Sequence, residues 1–173
     1  MVQLHNHTEY SLLDGACKIK ELVAKAAAQG NTALAITDHG YMYGVIDFYF
    51  ACKDAGIKPI LGVELYTAND IRERDKNTGH ITLLAKSTEG YHNLVKLDSI
   101  AATEGFYYKP RCDLSLLEQY HEGIICLSGC ISGDIPKLLL AEKYDEAKAL
   151  AEKYQAIFGE DYYIELQYHG LDE

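Results

Sequence analysis

The sequence predicts an α/β fold in which short strands and helices alternate around a barrel, one strand running against the rest. Three observations lead there. Short apolar runs alternate with amphipathic segments along the chain, the pattern of βα units. No glycine-rich phosphate loop follows the first apolar run, although an open dinucleotide-binding sheet would carry one. Between Tyr66 and His80 lies TANDIRERDKNTG, too polar and broken for the crossover helix that a parallel return needs. The fourth strand is therefore expected to pair antiparallel with the third.

Taken in order, VQLHNH reads as a strand and IKELVAKAAAQG as a helix ended by Gly30, since glycine readily takes the left-handed conformation that closes a helix. ALAITDHG reads as the second strand, VIDFYFACKDAG as a helix stopped by Gly56, PILGVELY as the third strand and HITLLAK as the fourth. EGYHNLVKLDSIAATEG and DLSLLEQYHEG carry helical apolar spacing. IICLSGC reads as a fifth strand, IPKLLLAEKYDEAKALAEKYQAIFG as one or two helices, and YYIELQYHG as a sixth strand. Six strands fall short of an eight-stranded closure, so either the barrel is smaller and distorted or the chain is a fragment.

The chain has 173 residues, enough for one domain. Its 48% hydrophobic and 24% charged residues suit a buried core. A formal net charge of −10 repels a phosphate backbone, so nucleic acid would need metal ions or another domain to attract it. Cys17, Cys52, Cys112, Cys126 and Cys130 form no CxxC pair. With no signal peptide and no membrane-length apolar run, a reduced, cytoplasmic setting is expected.

Chemistry concentrates at strand ends. In a strand, residues two apart share a face, so His5 and His7 project together and could share a metal. An HxH pair alone more often marks core histidines hydrogen-bonded to backbone than a metal site. Further candidates change the balance: Asp38 and His39 end the second strand, Glu64 the third, Cys130 the fifth and His169 the sixth. The carboxyl ends of barrel strands converge on one mouth, and such side chains are costly to bury without partners. Metal ions would satisfy them together. An antiparallel fourth strand would bring His80 beside Glu64.

HNHTEYSLLDGA, ALAITDHG, GVELY, HITLLAK with EGYHNL, EGFYYKPR and LSGCISGDIP also resemble the PHP (polymerase and histidinol phosphatase) domain at the amino end of bacterial DNA polymerase III alpha subunits. The resemblance runs over residues 1–173 and implies a distorted (β/α)7-type barrel. It also implies a fragment truncated at its C-terminal end, roughly the first two-thirds of the domain, without the last D-x-H motif. Mapped position by position, it implies metal ligands at His5, His7, Asp14, His39, Glu64, His80 and Cys130. His5, His7 and Glu64 would hold one ion, Glu64, His80 and Cys130 a second, and Asp14 and His39 a third. Up to three divalent ions are implied, with Zn²⁺ favoured by imidazole, thiolate and carboxylate donors and Mn²⁺ or Fe²⁺ as alternatives.

Three further residues are candidates for catalysis. Asp38 would accept a hydrogen bond from His39 and fix its tautomer, or else cap a helix. Lys109 and Arg111, on a turn set by Pro110, would clamp phosphate, or belong to a surface loop packed by Tyr107 and Tyr108. The resemblance implies a metal-dependent phosphoesterase or 3′–5′ exonuclease module of a replicative DNA polymerase. A scaffold without catalysis and a stand-alone histidinol-phosphatase-like enzyme are the alternatives. Expected partners are the remainder of the polymerase chain, other replisome subunits, DNA through the full-length protein, and a second copy through the exposed barrel edge. No membrane partner is expected.

Overall fold

The computed structural model describes residues 1–168 and 170. Among the described residues six strands, β1 (Ala33–Ile36), β2 (Lys58–Thr67), β3 (Gly79–Ala85), β4 (Arg111–Cys112), β5 (Ile124–Leu127) and β6 (Tyr162–Tyr163), form one sheet. Six α-helices accompany them: α1 (Ile19–Ala28), α2 (Val45–Asp54), α3 (Thr88–Thr103), α4 (Leu114–Tyr120), α5 (Asp134–Leu140) and α6 (Tyr144–Phe158). The strand order is β1-β2-β3-β5-β6, and β4 pairs with the end of β2.

Only β3 runs against the other described strands. It pairs antiparallel with both β2 and β5, whereas β1–β2, β2–β4 and β5–β6 are parallel. This is the reversal expected from the polar segment between Tyr66 and His80. Its register sets Tyr66 opposite His80 and Glu64 opposite Thr82.

Strand alternation divides each buried strand between two environments. Val63, Leu65, Ile81 and Leu83 join Leu94 and Leu97 of α3 and Phe48 of α2 in the main core. The opposite face carries Ala35, Leu84 and Leu127, packed with Ile60 and Ile125 in a small second cluster. On that same face, nearer the end of β2, stand Glu64 and Tyr66 with His80 and Thr82 across the ladder. An apolar plug thus lies along the strands from a polar group. Fully burying a leucine contributes about 1.5–3 kcal/mol, so the Leu83, Leu94 and Leu97 layer, each at 0% exposure, firmly fixes the strand that carries His80.

Several elements differ from expectation. Residues 2–7 form no regular strand. They lie along β1, with Gln3 and Asn6 carbonyls accepting from Ala35 and Thr37 amides, but the Asn6 amide donates to the Thr37 hydroxyl instead of the backbone. A side chain therefore interrupts the ladder. The sixth strand is confined to Tyr162–Tyr163. Beyond it the Glu165 amide turns to the Ser128 hydroxyl at 2.9 Å. Arg111, expected on a turn, forms with Cys112 a short strand beside Tyr66–Thr67. No described helix is long and apolar enough to cross a membrane.

Candidate metal centre

Five chain segments, the amino-terminal stretch, the end of β1, β2, β3 and the turn after β5, deliver side chains to one cluster. The first is the amino-terminal HNH segment, held against β1 through Asn6. Directly after it, residues 8–15 make a tight turn in which the Asp14 and Gly15 amides donate to the Ser11 carbonyl. A β-carbon at Gly15 would collide with the Thr8 carbonyl, so this turn requires glycine there. Asp38 ties the turn down: its carboxylate accepts from the Thr8 amide at 2.5 Å, the Thr8 hydroxyl at 2.7 Å and the Ser11 hydroxyl at 2.7 Å.

The hub is Glu64, buried at 2% exposure. One carboxylate oxygen lies 2.6 Å from His39 Nδ1, and the other 2.8 Å from His5 Nε2. The second oxygen also lies 3.5 Å from His7 Nε2 and 3.6 Å from His80 Nε2. His39 reaches Asp14 through its other nitrogen at 2.9 Å. The last segment is the turn after β5, where Cys130 Sγ comes within 3.2 Å of His80 Nε2. Gly129 has φ of 81°, and a β-carbon there would press on the His80 ring and carbonyl, so LSGC needs its glycine to approach this close.

Two groups place one donor atom from each of three residues within 4.8 Å of one another: His5, His7 and Glu64, then Glu64, His80 and Cys130. Glu64 belongs to both. His7 Nδ1 is buried without a hydrogen-bond partner. Nitrogen, carboxylate and sulfur donors in this arrangement suit a divalent transition ion.

The charges reflect this crowding. Burial would raise the Glu64 carboxyl, but His39, His5 and His7 hold it far below the ordinary carboxylate range. Burial depresses His5, yet its bonds to Glu165 and Glu64 outweigh that and push it up to about 9. His39 is raised to about 9, chiefly by its bond to Glu64. Burial lowers His80 and raises the Cys130 thiol.

Residues 3–169 match the PHP domain family. The chain belongs to that family. It is 50% identical over 179 residues to DNA polymerase III subunit alpha of Treponema pallidum, and 47% identical over 178 residues to that of Borreliella burgdorferi. Each alignment takes in 99% of this chain, but the PHP chain spans only 15% and 16% of those relatives' lengths, respectively. A solved amidohydrolase from Chromobacterium violaceum with bound sulfate and no metal is 28% identical, with a TM-score of 0.45 over 58% of this chain and 32% of that one.

All seven expected ligands of the PHP site, His5, His7, Asp14, His39, Glu64, His80 and Cys130, thus lie in one connected cluster. The three catalytic candidates fare differently. Asp38 neither touches the His39 ring nor caps a helix; its oxygens are taken by Thr8 and Ser11. Arg111 is 1% exposed and cannot clamp phosphate. Its guanidinium donates to the carbonyls of Gly105, Asp75 and Ile71, locking the polar connection before β3 to the end of α3. Lys109 alone stays near the site. Its ammonium sits 4.1 Å above the Tyr66 ring, which stacks on His39 with centroids 6.4 Å apart.

Glu165 was not foreseen. Its carboxylate lies 2.8 Å from His5 Nδ1, although in the sequence it is one acidic residue in an alternating apolar run. His169, expected near the pocket, lies outside the described residues. Cys126 is fully buried in the core.

Proposed function

We propose that this PHP domain is the amino-terminal metal-binding module of a larger DNA polymerase of the III alpha type, and that its cluster supports phosphoester cleavage, with 3′–5′ exonuclease chemistry as the form suited to a polymerase. The observation carrying this reading is the pair of three-donor groups that share Glu64. Identity of 47–50% to polymerase alpha subunits supports the polymerase context and weighs against a stand-alone histidinol phosphatase.

His5, His7 and Glu64 would hold one divalent ion and Glu64, His80 and Cys130 another, while Asp14 and His39 would contribute to a third. Zn²⁺ fits the thiolate and imidazoles best, with Mn²⁺ or Fe²⁺ as alternatives. When bound, such ions polarise a phosphoryl oxygen and make water a better nucleophile. The residues of the chain bind and orient. Glu64 aligns His5 and His39, the Gly129 turn presents Cys130, and Lys109 over Tyr66 offers a cation to an incoming phosphate. The chain's net charge of −10 leaves attraction of DNA to these ions and to the remainder of the polymerase.

A second reading has its own observation. Both Glu64 oxygens are already engaged by His39 and His5, so the cluster can persist as a charge network in a domain that only supports the polymerase. Elemental analysis of the chelator-free chain separates the two. Metal should be bound by the parent chain and lost from His5→Ala and Glu64→Ala; equal metal content in all three assigns the scaffold role. In the full-length polymerase, Glu64→Ala should abolish release of a 3′-terminal label while primer extension continues.

A further inference from the structure

Resting on the metal-site reading above, we propose that Glu165 is the positioning residue that holds His5 in the ring orientation and tautomer needed to offer Nε2 to a metal. The imidazole of His5 lies between two carboxylates: Glu165 Oε1 is 2.8 Å from Nδ1, and Glu64 Oε2 is 2.8 Å from Nε2. A carboxylate only accepts. Both carboxylates therefore accept from the ring, one at each nitrogen. A metal would take the place of the Nε2 proton, and Glu165 would keep the one on Nδ1, leaving the Nε2 lone pair for the donor group that His5 shares with His7 and Glu64. Metal-binding histidines commonly have such a partner on the ring nitrogen remote from the ion.

The surroundings favour this role over a casual surface pair. The His5 and Glu165 side chains are only 8% and 10% exposed. Glu165 is hung from the turn that carries Cys130: its amide donates to Ser128 Oγ at 2.9 Å, and the Ser128 amide donates to the Tyr163 carbonyl at 3.0 Å. One support thus serves both three-donor groups. Gln167 Nε2 lies 2.5 Å from Glu165 Oε1, so that oxygen has an amide donor as well as the imidazole. Glu165 Oε2 is buried with no hydrogen-bond partner, an arrangement that costs stability. The other neighbours of His5 Nδ1 are weaker candidates. Thr82 Oγ1 is 3.2 Å away and uncharged, and Gln167 Nε2, at 3.3 Å, is itself a donor.

The test compares Glu165→Gln, Glu165→Leu and His5→Ala in this chain, reading Zn²⁺ affinity by chelator competition and the His5 ring state by ¹⁵N NMR. Glu165→Leu is expected to weaken Zn²⁺ binding about 10–100-fold and to let His5 sample the tautomer with its lone pair on Nδ1. Glu165→Gln, whose amide oxygen still accepts from Nδ1, should largely restore both readouts. It also serves as the folded control if the leucine variant is unstable. Wild-type affinity in Glu165→Leu alongside lost binding in His5→Ala would overturn the positioning role and leave the metal centre standing. Equal loss in the glutamine and leucine variants would overturn it in favour of a charge or direct-ligand role. Unchanged Zn²⁺ binding in His5→Ala itself would instead remove the metal-site reading on which the proposal rests.

Discussion

Asp38 grips Thr8 at two points, its Oδ1 accepting from the Thr8 amide at 2.5 Å and its Oδ2 from the Thr8 hydroxyl at 2.7 Å. Thr8 directly follows the HNH segment, and Ser11, the third donor to Asp38, lies in the turn leading to Asp14. The end of β1 thereby dictates where His7 and Asp14 stand. Asp38 acts on the site through the backbone, which is why its proximity to His39 in sequence misleads about its role.

The first prediction concerns that anchor. Asp38→Asn exchanges one accepting oxygen for a donor, setting it against the donors of Thr8 or Ser11. We expect a stability loss of about 1–3 kcal/mol by denaturant titration, together with weaker metal binding. Unaltered stability and affinity would show that the turn holds its shape without the carboxylate.

How far the sequence revealed this molecule depended on whether a contact was local. The reversed β3 was legible because residues 67–79 could not fold as a crossover helix, and the histidine pair because alternate residues were expected to share a face, although residues 2–7 form no regular strand. The convergence of Asp14, His39, Glu64, His80 and Cys130 was anticipated from their positions at strand ends and from family resemblance. Arg111 was misread because a cation beside Pro110 looks like surface chemistry. Its burial depends on the carbonyls of Ile71 and Asp75, which belong to a segment that reads as a solvated charge run. Glu165 stayed hidden because its partner is 160 positions away and no local spacing distinguishes it.

The second prediction follows from Arg111. A buried guanidinium satisfied by three backbone carbonyls leaves those carbonyls unpaired when it is removed. Arg111→Met should lower unfolding free energy by about 2–4 kcal/mol, measured by urea titration. Metal content of the folded variant should match the parent. Selective loss of metal or of phosphate binding at intact stability would restore the phosphate-clamp role.

The third prediction concerns the sheet edge beyond β5. Tyr163, Ile164, Leu166 and Tyr168 are 52–94% exposed there, and β6 contributes only two residues to pairing. Exposed apolar edges invite association. The isolated chain should self-associate in a concentration-dependent way by sedimentation velocity, and Ile164→Lys with Leu166→Lys should make it monomeric. A parent chain that is monomeric at all concentrations would show that this edge does not mediate pairing.

The fourth prediction turns on Asp98, a carboxylate on α3 that lies beside the Tyr41–Met42 segment. Burial pushes its pKa up to about 6, only slightly opposed by the Met42 amide, which donates to one oxygen at 3.4 Å. The other oxygen is buried without a partner, and Tyr41 is the titratable neighbour that feels its charge. Because the folded-state value exceeds the unfolded value of 3.8, the folded chain holds this proton more tightly. Its contribution to stability is fully present below about pH 4 and is lost as pH rises through about 6. Asp98→Asn removes the ionisation while keeping the shape. It should stabilise the chain by about 1–2 kcal/mol at pH 7.5, discounted for partial exposure, and by almost nothing at pH 4. Thermal melts of both proteins across this range read the difference directly. A pH-independent gain would mean that the asparagine acts through a new hydrogen bond and not through relief of a buried charge.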